Sequence, residues 1–201
     1  MQRLLLNTLT EWKNNPKRKP LILKGVRQCG KTYLLKEFGH QHYSDIAYFN
    51  FEETESLKSL FETDYDTKRI LFELGLSIGK TIKPASTLVI FDEIQECGRA
   101  ITSLKYFCEN APEYHIVCAG SLLGIALNKQ PSFPVGKVDF LTLYPMNFIE
   151  FLMANGEETL AKYLSSFGKG GHLSEPVANK LETYLKQYYV TGGMPEVVQT
   201  W

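Results

Sequence analysis

Gly25-Val26-Arg27-Gln28-Cys29-Gly30-Lys31-Thr32 follows the apolar run Leu21-Ile22-Leu23 and leads into Tyr33-Leu34-Leu35. It fits G-x-x-x-x-G-K-[ST] at all four specified positions, between a strand-like and a helix-like segment, which is the setting a phosphate-binding loop requires. Each residue type has a physical reason. Glycine at 25 and 30 permits backbone angles and a closeness of approach that side chains block. The N–H groups of the loop then converge on phosphate oxygens at the positive end of the following helix. Gly25, Val26, Arg27, Gln28, Cys29, Gly30, Lys31 and Thr32 are therefore the expected nucleotide-binding residues. Lys31 brings a compact charge to the β- and γ-phosphates, and the Thr32 hydroxyl is an expected magnesium ligand.

Thr87-Leu88-Val89-Ile90-Phe91 is the most strand-like run in the chain, and it ends in Asp92-Glu93. Asp92 suits a magnesium ion beside a nucleotide, held directly or through water. Glu93 is the expected catalytic carboxylate, polarising a water for in-line attack on the γ-phosphate. Alone, such a strand end is often only where charged residues leave a core; the phosphate loop upstream is what gives it functional meaning. Ser121 lies just past the strand-like His115–Ala119 and Gly120. Two readings stand there. Its hydroxyl contacts the γ-phosphate or the attacking water at the ligand-binding end of a parallel sheet, or it caps a helix over Leu122–Asn128.

Around these motifs, strand-like and helical segments alternate. Leu5, Leu9 and Trp12 fall at i, i+4 and i+7 and predict a short first helix, closed by the proline- and cation-rich residues 14–20. Further strands are expected at Ile46–Phe51 and Val138–Tyr144, and helices over Tyr33–Phe38, Ser56–Glu62, Thr67–Ile78 and Ile101–Glu109. Gly39 marks the expected helix end before His40 and His42, which read as surface histidines. The alternation predicts an α/β fold: a three-layer P-loop NTPase domain with a central parallel sheet buried on both faces. After Pro145 the pattern turns helical. Residues 1–145 are thus expected to form the ATPase core and residues 146–201 a helical C-terminal extension.

The 201 residues are 44% hydrophobic and 22% charged, which excludes collagen-like, disordered and mucin-like classes. Lys+Arg and Asp+Glu are both 22, so net charge gives no case for nucleic acid or a membrane surface. No apolar run is long enough for a membrane span. Cys29, Cys97, Cys108 and Cys118 form no C-x-x-C pair and no zinc spacing. They read as reduced thiols of a cytoplasmic protein. Lys17-Arg18-Lys19 reads as a solvated linker, and Tyr184, Tyr188 and Tyr189 as helix packing.

Gly25–Thr32, Phe91-Asp92-Glu93-Ile94-Gln95 and Ala119-Gly120-Ser121 together resemble an AAA-plus-like P-loop ATPase family of bacteria and archaea. Leu143-Tyr144-Pro145-Met146-Asn147-Phe148-Ile149-Glu150-Phe151 and Gly192-Gly193-Met194-Pro195-Glu196 extend the likeness to the C-terminus. The resemblance implies that Ser121 is a sensor residue. It also implies a C-terminal domain of poorly defined function, of which residues 146–201 would be the truncated start. Where the family tends to carry Gly-Arg, this chain has Gly136-Lys137.

Sequence and resemblance together imply ATP binding and magnesium-dependent hydrolysis coupled to conformational change, slow in isolation. ATP, ADP and Mg2+ are the expected ligands, with self-association or a protein partner open. The alternatives are a nucleotide-gated interaction module with little turnover and a small-molecule kinase.

Overall fold

A computed structural model describes residues 3–120, 133–168 and 171–201. Ser121, and the helix expected after it, lie outside the described residues. The chain forms two compact units, Asn7–Leu143 and Met1–Leu6 with Tyr144–Trp201.

In the larger unit five strands, β1 (Leu21–Gly25), β2 (Asp45–Asn50), β3 (Thr87–Asp92), β4 (His115–Ala119) and β5 (Asp139–Leu143), form one sheet in the order β2-β3-β4-β1-β5. Every pairing is parallel. Strands β3 and β4 are buried at every residue, whereas edge strands β2 and β5 are only partly covered. That is why Thr87–Phe91 reads as a continuous apolar run instead of an alternating one.

Helices cover both faces. Ile22, Phe49, Val89, Phe91, Ile116 and Cys118 pack under α4 (Thr67–Ser77) and α5 (Gly98–Asn110) through Ile70, Leu74, Ile101, Leu104 and Phe107. On the other face lies α2 (Lys31–His42), whose Phe38 meets Trp12 of α1 (Leu5–Asn14) at 6.5 Å between ring centroids. The short α3 spans Ser56–Ser59, less than the Ser56–Glu62 expected. Asp66 caps α4 by accepting from the N–H groups of Lys68 and Arg69 at 2.9 and 3.4 Å. Gly39 does not end its helix, which runs on to His42. Instead, it is buried where a Cβ would sit 2.6 Å from Ile46 Cδ1, so close packing on β2 explains the glycine.

At the N-terminal end of β4, His115 is 5% exposed and shares a 2.7 Å hydrogen bond with the Tyr43 hydroxyl. Burial, reinforced by the charges of Arg18 and Lys13, pushes its pKa down from 6.5 to about 4. The folded state therefore binds fewer protons than the unfolded chain between those values. The stability this contributes is complete above pH 6.5 and is lost as the pH falls towards 4. Denaturant titrations are expected to show a loss of about 2–3 kcal/mol across that window, with a flatter pH slope in His115→Gln. Equal slopes for the two proteins would contradict the assignment.

In the smaller unit α6 (Phe148–Ala154) opens on a capping box between Asn147 and Glu150. Glu150 also holds Arg3 Nε at 3.0 Å in a buried ion pair. Helices α7 (Glu158–Ser166) and α8 (Glu175–Thr191) pack on Leu152 through Leu160, Ala161 and Leu181. Tyr184 and Tyr188 join these apolar clusters, as expected of packing residues, whereas Tyr189 is 76% exposed and is corrected to a surface residue. Helix α9 (Pro195–Thr200) contributes Val198. Met146 N–H donates to Gly193 O at 2.6 Å, so the two outlying segments of the family resemblance meet here.

Candidate nucleotide-binding site

The sheet order places the C-terminal ends of β1, β4 and β3 side by side. The chain leaves β1 for the β2 edge, and β5 returns on the other side of β1, so the loop after β1 opens at a switch in strand order. Ligands of open parallel sheets bind at such points.

Within the loop, Gly25 lies against β5: a Cβ there would come within 2.4 Å of Leu143 O and 2.9 Å of Cys29 Sγ. Gly30 has φ +90° and opens α2 in the left-handed region, which favours glycine. Gln28 also has positive φ, +64°. The side chains of Val26, Arg27 and Gln28 face solvent, leaving the backbone to line the loop. Cys29 turns inward, its Sγ 3.6 Å from Leu143 O. The first N–H groups of α2 have no partner within the helix and mark its positive end. Lys31 is 7% exposed, with its ammonium donating to Gly25 O at 3.0 Å and Val26 O at 2.8 Å. Its charge is thereby held inside the loop.

Asp92, 4% exposed, ends β3. Its Oδ2 accepts from Thr32 Oγ1 at 2.8 Å, and its Oδ1 from Glu93 N–H at 3.1 Å. Glu93 has φ +47°, unusual outside glycine and of the sort that persists where surroundings over-determine it. Gln95 Nε2 donates to Glu93 Oε2 at 2.6 Å. Lys31, Thr32, Asp92 and Glu93 are thus brought to one end of the sheet.

Sequence reasoning missed Tyr48. Its hydroxyl donates to Asp92 Oδ2 at 2.8 Å from β2, and the Lys36 ammonium lies 3.6 Å from its ring centroid. Burial first, and then the Asp92 carboxylate, raise the Tyr48 pKa, so the phenol stays protonated at neutral pH. The only sequence signal was an aromatic near the end of a strand; its reach to Asp92 depends on the β2–β3 register.

Lys137 is placed elsewhere. Asp139 pairs with Leu21 and Leu143 with Gly25, so Lys137 precedes the end of β5 that lies farthest from the phosphate loop. Roughly 13 Å of strand intervene at about 3.3 Å per residue. Lys137 pairs with Glu109 at 2.9 Å, which raises its pKa. It therefore supplies no charge to the loop of its own chain.

The donor set fits its expected ligands. A hydroxyl and a carboxylate suit a hard cation such as Mg2+, and a backbone-lined loop with an inward ammonium suits phosphate. Among the described residues there is no His/Cys/Asp/Glu cluster for another metal, and no helix is long and apolar enough to cross a membrane. The four cysteines are free thiols.

The chain is similar to several known proteins. An uncharacterized protein of Methanocaldococcus jannaschii is 27% identical over 177 residues, covering 88% of this chain and 35% of its own length. The chain thus spans about a third of that curated relative. The structure of C. elegans PCH-2 superposes with a TM-score of 0.53 at 14% identity, over 98% of this chain and 59% of that one, which shows a shared fold. AMPPCP-bound DnaA from Aquifex aeolicus gives a TM-score of 0.46 at 15% identity, over 94% and 61%. A family model described as AAA domain matches residues 17–152, from the linker before β1 into α6. The chain belongs to this AAA domain family.

Proposed function

We propose that the chain binds ATP with magnesium and hydrolyses it to ADP and phosphate, driving a conformational change. The observation that carries this reading is the 2.8 Å hydrogen bond from Thr32 Oγ1 to Asp92 Oδ2. It joins phosphate loop and strand end into one cation-suited pair, with Lys31 and Glu93 adjacent in sequence to either member. The loop N–H groups and Lys31 bind the phosphates. Thr32 and Asp92 would hold the magnesium ion, which supplies neutralisation of phosphate charge when bound. Glu93 orients the attacking water and accepts its proton at the carboxylate. Ser121 keeps the sensor role the resemblance implies.

In this reading residues 1–145 are the ATPase part and residues 146–201 a helical C-terminal extension. ATP over GTP rests on the resemblance, and the cytoplasm is the proposed location.

Turnover by the isolated chain is slow. Gln95 engages the Glu93 carboxylate, and Lys137 is paired with Glu109 away from the loop. An arginine at the transition-state charge is worth about 10³–10⁵ in rate, and a partner or second copy would have to supply it. Phosphate release from MgATP, with no acceptor added, is expected to depend on magnesium and run well below about 1 s⁻¹. Rapid release independent of protein concentration would contradict the slow reading. ADP formed only on adding an acceptor, with the phosphoryl group on that acceptor and no free phosphate released, would make the chain a kinase.

A further inference from the structure

Tyr48 reaches the site from the edge strand β2, and no nucleotide-binding motif accounts for it. Asp92 Oδ2 accepts both the Tyr48 hydroxyl and the Thr32 hydroxyl, each at 2.8 Å. A carboxylate oxygen offers about two lone-pair positions, so the two donors fill those of Oδ2. Oδ1 already accepts Glu93 N–H at 3.1 Å. The carboxylate is thus held on both oxygens in a buried position. Tyr48 is itself fixed. The Lys36 ammonium, on the same helix as Thr32, sits 3.6 Å over its ring centroid and is attracted to the ring face.

We infer that Tyr48 is a positioning residue that sets the choice of divalent cation at Asp92. This deepens the proposed ATPase reading and rests on it. With both positions of Oδ2 filled by hydroxyls, the one position left is on Oδ1, so Asp92 cannot take a cation through both oxygens and meets it at a single point, directly or through the cation's own water. That arrangement favours magnesium, which dehydrates reluctantly, over calcium, which takes carboxylates directly and in larger number. Removing the Tyr48 hydroxyl frees a lone pair of Oδ2 for direct contact and loosens the carboxylate.

The test is calorimetric titration of wild type, Tyr48→Phe and Lys36→Met with a non-hydrolysable ATP analogue, without divalent cation, with Mg2+ and with Ca2+. Affinity without divalent cation is expected to agree within about twofold across the three proteins, a result that general loosening of the fold would not give. The preference for Mg2+ over Ca2+ is expected to fall about tenfold in Tyr48→Phe, the usual worth of a hydrogen bond to a charged group. In Lys36→Met, which acts on the ring from outside the hydrogen-bonded set, it is expected to fall about two- to threefold. An unchanged preference in both variants overturns the role of Tyr48 while the nucleotide site stands. No analogue binding by folded wild type overturns the site, and this inference with it.

Discussion

Glu93→Gln is expected to leave ATP binding within about twofold of wild type while cutting hydrolysis roughly 10²–10⁴-fold, the usual worth of general base assistance. The amide keeps the size of the carboxylate but can neither accept the water's proton nor draw its lone pairs towards phosphorus. Glu93 sits at the end of β3 with φ +47°, next to a carboxylate fixed by three hydrogen bonds. Its placement is therefore set by the sheet and not by loop chance. Paired binding and single-turnover measurements check the prediction. Hydrolysis by the variant at the wild-type rate would remove Glu93 from the chemistry.

Lys31→Ala is the second large effect, and it falls on binding. The ammonium is buried inside the loop, where charge-assisted contacts to phosphate are stronger than in water. Its loss is expected to weaken ATP at least about tenfold, or 1.4 kcal/mol. The substitution also leaves Gly25 O and Val26 O without their donor, so circular dichroism must accompany the titration. Equal affinity for two folded proteins would contradict the loop assignment.

What was legible in the sequence is what is local. The phosphate loop announces itself because backbone angle, close approach and charge are all needed within eight residues. The Thr87–Phe91 run reads as a central strand because both of its faces are buried. Register and strand order are not local. Tyr48 reaches Asp92 because β2 pairs with β3 so that Asn50 stands opposite Asp92, and nothing in Ile46–Phe51 states that pairing. The place of Lys137 is hidden for the same reason. Its distance from the loop follows from the β1–β5 register, not from its neighbours in sequence. Gly39 misled because glycine is a common signal for a helix end, whereas here the packing of Ile46 requires its small size. Gln95 is legible only as part of the family resemblance, because its bond to Glu93 depends on the turn of the short 3-10 helix Ile94–Glu96, which follows β3.

Single-turnover hydrolysis, with the chain in excess over γ-labelled ATP, tests the ATPase claim most directly, because it needs no steady-state turnover and no added acceptor. The expected result is a slow, single-exponential release of inorganic phosphate that requires Mg2+ and is lost in Glu93→Gln. Nucleotide that binds the folded wild-type chain with Mg2+ yet is recovered intact as ATP after many hours would contradict it.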